Sequence, residues 1–582
     1  MIKRDLSIMI SGLAGDGIFF TGNVLAKVFK RNGLEVFTFR DFPSNIRGEP
    51  TAYTIRASGE EIFGPSQEVD ILVAFDCDSI FRHIDKLNDG GFVICDSTEL
   101  KEVNSALEKG KKFFNIPIKR LAKENFGSEI YKNVITIGIL LHILNLELNL
   151  IEEILNETFL AKKGKEVVEK NFKAVSLGKE VAKNVIDSKS QIILPGKKDE
   201  NRLFITGDEA IAIGALSAGC RFFAGYPICP ASEIMEWLAK HLPDYNGVVV
   251  QTEDEISAIH MALGASYAGA RAMTATSGPG FSLMSEGLSL AGMTEIPIVI
   301  VYVQRVGPST GMPTKSEQAD LLHSIFAGHG DFPKIVISPA TIEDCFYLTI
   351  KAFNLADKFQ CPVIILTEEL YGQNYQTVKE FDFSKIEIDR GKFVISNESI
   401  NKIPFLRYKF TKDGISPRVI PSVPRGIHMV EGNEHGETGY RDETPLIREK
   451  MVKKRMKKLE SVLPYLPKPI FHGSENAEIG IVGFGSTFGI IQETRKALEE
   501  KGIPIQTMHI ITLWPLQFQI LKDFINSKKQ IFVVENNASG QLYFLLRKFE
   551  KQGIRMKSIR KFNSQPFFKS ELLNILEREI EQ

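Results

Sequence analysis

The sequence offers little cysteine chemistry. Its six cysteines, Cys77, Cys95, Cys220, Cys229, Cys345 and Cys361, stand apart, and none forms a C-x-x-C pair. That argues against a disulfide framework and against an iron–sulfur or zinc site built by this chain alone. Reduced thiols in a cytoplasmic protein are the expectation. Net charge is nearly absent as well: 71 Lys and Arg face 72 Asp and Glu, a formal −1, which leaves no electrostatic footprint for nucleic acid. No run is apolar enough to span a membrane. The most apolar stretch, Val134 to Ile151, is broken by His142, Asn145, Glu147 and Asn149 and reads as a core helix. Lys3 and Arg4 before an apolar run faintly resemble a signal peptide, but Asp5 and the early glycines point to a first buried strand. No short-period repeat is present.

What is there is ordinary globular material, 43% hydrophobic and 25% charged, with length for three or four domains. Strand and helix signals alternate through residues 1–186, with Leu6–Ile10, Glu35–Phe39, Ile71–Phe75 and Gly91–Asp96 as short apolar runs of the kind found in a buried parallel sheet. A doubly wound α/β domain is predicted there. Residues 187–202 are polar and turn-rich and read as a linker. A second α/β block covers 203–380, with strands at Val248–Gln251, Ala272–Thr276, Ile298–Val303 and Val363–Thr367. Residues 381–475 form a less regular connecting region, in which Glu449–Glu460 reads as a basic helix with a solvated face. A third α/β block covers 476–582, with strands at Ile479–Val482 and Gln530–Val534.

Candidate chemistry concentrates where strands of the second block turn into helices. Tyr226-Pro-Ile-Cys-Pro-Ala-Ser-Glu233 carries two prolines that stiffen the loop, and by itself it is no more than a rigid turn. Glu253, Asp254 and Glu255 fall at a strand-to-helix junction, where acids favour the helix dipole; the helix after them shows a face of small residues, Ala258, Ala262, Gly264, Ala265 and Ala268. Thr274-Ala-Thr-Ser-Gly-Pro-Gly280 ends a strand in another stiff loop. Gln304-Arg-Val-Gly-Pro-Ser-Thr-Gly-Met-Pro-Thr314 places Arg305 at a strand's carboxyl end, well set for an anion. Ligands of open α/β sheets bind outside those ends. Near the N-terminus, Gly15-Asp16-Gly17 follows a strand and precedes a helix, with Asn45 downstream, which raises the question of a Mg²⁺–diphosphate site.

Together these segments resemble the 2-oxoacid:ferredoxin oxidoreductases, and more closely the alpha subunit with its gamma domain fused at the N-terminus, as in 2-oxoglutarate:ferredoxin oxidoreductase. The resemblance covers nearly the whole chain. It rests on YPICPASE at 226–233, QRVGPSTGMPTKSEQADL at 304–321, SGLAGDG at 11–17, FRDFPSNIRGEP at 39–50, HGETGYRDE at 435–443 and VVENNASGQL at 533–542. It implies three Rossmann-like α/β domains related to the thiamine diphosphate fold: a gamma domain (1–186), a pyrimidine-binding domain (203–380) and a transketolase C-terminal-like domain (476–582). SGLAGDG matches the family's Gly-x-Gly-Gly-Gln-Gly loop with Ala14 for a glycine and Asp16 for the glutamine, so Asp16 is a substitution rather than a metal ligand. The loop is not a GxGxxG dinucleotide fingerprint.

The resemblance further implies oxidative decarboxylation of 2-oxoglutarate with coenzyme A, a tricarboxylic acid cycle reaction, with electrons passing to ferredoxin. Thiamine diphosphate would be shared with a separate beta subunit that brings Mg²⁺, the diphosphate grip and a [4Fe-4S] cluster, in an (alpha–beta)₂ assembly. Glu255 matches the carboxylate that hydrogen-bonds the pyrimidine ring, with Glu253 as the alternative. Arg305 matches the substrate-carboxylate arginine, and Thr314 retains a hydroxyl found in the family. Tyr226, Pro227, Ile228 and Gly278 fall in cofactor-binding segments. Arg47, beside Asn45, matches a segment near the substrate or coenzyme A entry. No metal ligand is assigned to this chain. Two departures fall in the signature: its threonine is Cys229 and its following serine is Ala231. They keep pyruvate or a branched-chain 2-oxoacid open as the substrate. A non-catalytic assembly paralogue is the third reading, and retention of Glu255 and Arg305 speaks against it.

Overall fold

The computed structural model describes every residue except 1, 45–47, 97–109, 198–200, 397–399, 401–403, 552–554 and 582. The chain divides into two compact units. The first comprises 1–205, 374–380 and 568–571; the second comprises 206–373, 381–567 and 572–582.

The first unit is built on an eight-stranded sheet. Its order is Lys112–Asn115, Leu87–Cys95, Val69–Ala74, Asp5–Leu13, Pro50–Ser58, Glu35–Asp41, Gln376–Lys379 and Arg202–Ile205. The first four strands are parallel, as the apolar runs predict. The other half departs from the parallel sheet expected: Asp5–Leu13 pairs antiparallel with Pro50–Ser58, from Asp5 opposite Ser58 to Leu13 opposite Pro50, and Glu35–Asp41 pairs antiparallel with the same strand. The reason is connection length. Only residues 42–49 separate Glu35–Asp41 from Pro50–Ser58, too few for the crossover that a parallel pair needs. Pro50–Ser58 escaped the sequence reading because it carries Thr51, Thr54, Arg56 and Ser58, yet all are buried. Arg56 is neutralised there by Asp5, Nη2 to Oδ2 at 2.6 Å, and also donates to the Gly64 carbonyl at 2.9 Å.

The apolar run at 134–151 is indeed a core helix, Lys132–Ile143, followed by Asn149–Leu155. It packs on Lys165–Val185 at a pair of glycines: a Cβ on Gly138 would lie 2.0 Å from the Val175 carbonyl, and one on Gly178 2.0 Å from that of Ile135.

The second unit holds two principal sheets. One is seven-stranded, ordered Thr512–Trp514, Ile335–Ile337, Pro362–Glu368, Ile298–Gln304, Arg271–Thr276, Cys220–Gly225 and Val248–Gln251. All its pairings are parallel except that of Thr512–Trp514 with Ile335–Ile337. The other is five-stranded, Ile470–Gly473, Ile505–His509, Ile479–Gly483, Gln530–Glu535 and Arg555–Arg560, again parallel apart from its first strand.

The basic helix at 449–460 lies within Pro445–Ser461; Glu449, Lys450, Lys453, Lys457 and Glu460 form the solvated face expected, but the opposite face is charged as well. Lys454, Arg455 and Lys458 are buried. Lys454 and Lys458 meet Glu295 at 2.6 and 2.5 Å, and Arg455 grips both oxygens of Glu434 at 2.9 and 2.7 Å. A buried charge persists only when paired. Though burial works against its charged form, the two lysines hold the Glu295 carboxyl well below the usual carboxylate range, while burial pushes Lys454 down to about 7. This ionic weld fastens the irregular connecting region, whose own apolar cluster is small.

Candidate active site

Strand register brings the four sequence-selected loops to one edge of the seven-stranded sheet. Gly225 lies opposite Gln251, Thr276 opposite Tyr302, and Gln304 opposite Glu368. The segments that begin at Tyr226, Thr252, Ser277 and Arg305 therefore leave the sheet at the carboxyl ends of their strands, where ligands of such sheets bind.

Of the three acids at 253–255, each has its own environment. Asp254 is the N-cap of the helix Glu255–Tyr267 and accepts the Ser257 N–H at 2.7 Å. Glu253 is exposed, with Oε1 accepting the Ser257 hydroxyl at 3.3 Å. Glu255 is 5% exposed and turns inward against the Gly278-Pro-Gly280 loop. A Cβ on Gly280 would fall 2.4 Å from Glu255 Oε1 and 2.1 Å from Thr276 Oγ1, so any larger residue there must displace those side chains. Burial raises the Glu255 carboxyl above its usual range. Glu255, not Glu253, has the environment of a proton-holding carboxyl.

Arg305 is 6% exposed. Its Nη1 donates to the Cys229 carbonyl at 2.5 Å, tying the YPICPASE loop to the strand end beside it, while Nε is buried without a partner. Burial lowers its pKa, and a guanidinium so placed calls for an anion. The Cys229 thiol donates to the Pro313 carbonyl at 3.3 Å and lies 3.9 Å from Gln373 Oε1; burial pushes it up to about 12, so it stays a thiol. Thr314, next to Pro313, is buried. Tyr226 and Pro227 are exposed and Ile228 half-buried. Gly278 opens the helix Gly278–Leu283, and a Cβ there would make ordinary contact with Asp320 Oδ2 at 3.4 Å. Arg47 and Asn45 lie outside the described residues.

Neutral polar residues that sequence reasoning passed over complete the site's foundation. Gln373 reaches Cys229. Gln304 accepts the Asp320 N–H at 3.0 Å, and the buried Gln318 donates from Nε2 to Glu368 at 2.7 Å and to the Phe484 carbonyl at 2.8 Å. The available signal was position: Gln304 and Gln318 both lie within the selected motif QRVGPSTGMPTKSEQADL.

The N-terminal glycine loop, within the first unit, is built differently. Gly15 and Gly17 take φ +101° and +80°, and Asp16 closes the turn between them, its Oδ2 accepting the Leu13 N–H at 3.1 Å. Its Oδ1 is paired with the buried Lys132 at 2.6 Å. The Asp16 carboxylate is thus engaged within the protein. A cavity of about 620 Å³ adjoins the loop, lined by Phe20, Tyr131, Lys132, Asn133 and Phe159 among others.

Comparison with known proteins agrees along the whole chain. A family described as "Pyruvate flavodoxin/ferredoxin oxidoreductase, thiamine diP-bdg" matches residues 213–454, and one described as "Pyruvate ferredoxin/flavodoxin oxidoreductase" matches residues 7–181. The alpha subunit of 2-oxoacid:ferredoxin oxidoreductase 1 from Sulfurisphaera tokodaii is 33% identical, over 97% of this chain and 96% of its own length. The 2-oxoglutarate synthase subunit KorA of Methanothermobacter marburgensis is 36% identical, over 64% of this chain and 97% of its own length. Among solved structures, the 2-oxoglutarate:ferredoxin oxidoreductase from Magnetococcus marinus with 2-oxoglutarate, coenzyme A and succinyl-CoA bound superposes with a TM-score of 0.92 at 36% identity, covering 99% of this chain and 100% of that one.

Proposed function

The chain belongs to the alpha subunits of the 2-oxoacid:ferredoxin oxidoreductases, and from that premise we propose that it serves a thiamine diphosphate-dependent oxidation of 2-oxoglutarate with coenzyme A to succinyl-CoA and CO₂, electrons passing to ferredoxin. The observation that carries this reading is Glu255: a buried carboxyl, raised in pKa, lying where a Cβ on Gly280 would press against it, on the sheet edge that also bears Arg305. That cradle fits a flat ring approaching the carboxyl. When bound, thiamine diphosphate supplies the nucleophilic carbon that makes decarboxylation of a 2-oxoacid feasible.

The residues of this chain have separable tasks. Glu255 holds a proton against a nitrogen of the pyrimidine ring, a task suited to a carboxyl that burial has made more basic. Tyr226, Pro227, Ile228 and Gly278 line the ring. Arg305 binds the carboxylate next to the keto group through donors not spent on Cys229. Thr314 and Cys229 complete the substrate wall. The domain division at 1–186, 203–380 and 476–582 belongs to the same reading. Mg²⁺, the diphosphate grip and the [4Fe-4S] cluster are assigned to a beta subunit in an (alpha–beta)₂ complex. Among the described residues no group of three or more His, Cys, Asp or Glu is arranged to hold a metal ion, and none of their helices is long and apolar enough to cross a membrane. The location we propose is the cytoplasm.

The preference for 2-oxoglutarate draws on the substrate named for the Magnetococcus enzyme and on the KorA relatives. Cys229 favours a second reading, pyruvate or a branched-chain acid, because a thiol is a weaker donor than the hydroxyl it replaces. The test is co-expression with the cognate beta chain and viologen reduction in the presence of coenzyme A and a panel of 2-oxoacids. Fastest reduction with 2-oxoglutarate is expected. Preference for pyruvate would move the assignment to the second reading, and no reduction with any acid would reject both.

A further inference from the structure

The C-terminal sheet carries none of the residues assigned to substrate or cofactor, yet it is bonded to the Arg305 loop. The link is Gln318, fully buried, thirteen positions after Arg305. Its backbone N–H donates to the Asn536 carbonyl at 2.7 Å, its Oε1 accepts the Asn536 N–H at 3.0 Å, and its backbone carbonyl accepts Asn537 Nδ2 at 3.0 Å. Its Nε2 donates to Glu368 at the end of the strand Pro362–Glu368 and to Phe484 at the head of the C-terminal sheet. Every hydrogen-bonding position of the residue is engaged. One step on, Gln541 Nε2 donates to the Ala319 carbonyl at 2.5 Å and Gln541 Oε1 accepts the Leu322 N–H at 2.8 Å. Asn537 is itself fixed by Glu535 at 2.8 Å, and its Oδ1 accepts the Gly540 N–H at 2.7 Å.

The loop therefore has two feet. Gln304, immediately before Arg305, is pinned in the sheet and takes the Asp320 N–H. Gln318 is pinned by VVENNASGQL. Between them the loop folds on itself, Val306 N–H to the Lys315 carbonyl at 3.0 Å and Met312 N–H to that of Val306 at 3.0 Å, and presents Arg305 and Thr314. We propose that Gln318 is a positioning residue: through it the segment 533–542 sets where Arg305 and Thr314 stand, so the C-terminal sheet acts as a buttress for substrate binding. A buried polar network of this kind specifies one geometry because every alternative leaves a donor or acceptor unsatisfied.

The inference rests on the oxoacid role of Arg305 proposed above, and the experiment separates the two. In the co-expressed complex, Gln318→Leu should raise the KM for the 2-oxoacid about tenfold, with kcat and the KM for coenzyme A within twofold of the parent. Gln541→Leu removes only the outer grip, on a half-buried side chain, and should raise the same KM about threefold. Hydrogen exchange in the complex supplies a readout independent of turnover: amides in 306–315 should exchange faster in Gln541→Leu while those of Cys220–Gly225 do not change. Unaltered exchange in 306–315 overturns the buttress even if Gln318→Leu fails to fold. Faster exchange with an unaltered oxoacid KM overturns the positioning role. A native complex inert toward every 2-oxoacid, with the exchange difference intact, would instead reject the oxoacid reading of Arg305.

Discussion

Two glycine loops in this chain put an acid beside a strand-to-helix turn, and they use it in opposite ways. At Gly15–Gly17 the acid is Asp16; its two oxygens are taken by the Leu13 N–H and Lys132, and it serves the turn. At Gly278–Gly280 the acid comes from elsewhere in the sequence, Glu255, and it lies against the glycine with its pKa raised by burial and no ion pair among the described residues. The Gly-Asp-Gly spelling draws the eye to the first loop; the electrostatics point to the second. Burial makes the Glu255 carboxyl more basic, which equips it to hold a proton.

The comparison breaks most readily at Glu255. Glu255→Gln should lower viologen reduction by about 10²–10⁴-fold, the span typical of a lost proton-transfer group, while the complex assembles normally by gel filtration. Turnover within a few-fold of the parent would remove Glu255 from the mechanism. Gly280→Ala comes next. Its Cβ displaces the Glu255 carboxyl, and a displacement of about 1 Å can cost on the order of 100-fold. The matched change in the other loop, Gly15→Ala, meets nothing within 4 Å but keeps φ +101°, so it should cost about 1 kcal/mol of stability and leave turnover alone.

Asp16→Asn should likewise spare turnover while losing about 1.5–3 kcal/mol in a denaturant melt, the worth of a hydrogen bond to a charged group. The smallest effect is a pH dependence of stability. Because the folded state raises the Glu255 pKa above its unfolded value, the native protein holds this proton where the unfolded chain has released it. Its contribution is fully present below the unfolded value and is lost as pH rises through the folded one. Glu255→Gln removes that loss. The variant should match the parent in acid and exceed it at neutral pH, by about 1.4 kcal/mol for each pH unit of the raised pKa, as read from melting curves across that range. Equal curves at all pH values would mean that burial does not tax this carboxyl.

The strand-end loops were legible in the sequence because glycine and proline are punctuation: Tyr226–Glu233, Thr274–Gly280 and Gln304–Thr314 each follow an apolar run of strand length, and each sits where that pattern puts it. Local signals stopped at pairings between distant segments. The antiparallel strand Pro50–Ser58 hides behind Arg56, whose charge is cancelled only once Asp5 is opposite. Lys454, Arg455 and Lys458 read as a wet face because their partners, Glu295 and Glu434, lie up to 163 positions away and on another element. Gln318 and Gln373 carry no charge, and nothing in the motif that contains Gln318 marks it out; their importance is in what they touch. The family resemblance reached the site residues by a different path, and in this chain it singled out Glu255 where charge spacing alone left three acids equivalent.

One strand of the first unit arrives late. Gln376–Lys379 lies between Glu35–Asp41 and Arg202–Ile205, more than 330 positions downstream of the strand it covers, and Thr377 Oγ1 donates to Glu35 at 2.7 Å. A gene cut at 187–200 would therefore not release a finished N-terminal protein. The shorter product would expose the naked rim of Glu35–Asp41, an invitation to adhesion between copies, and the longer product would hold the antiparallel pair Arg202–Ile205 and Gln376–Lys379 that heals it. Expressed together, the halves should find one another by strand addition; expressed alone, the first should precipitate.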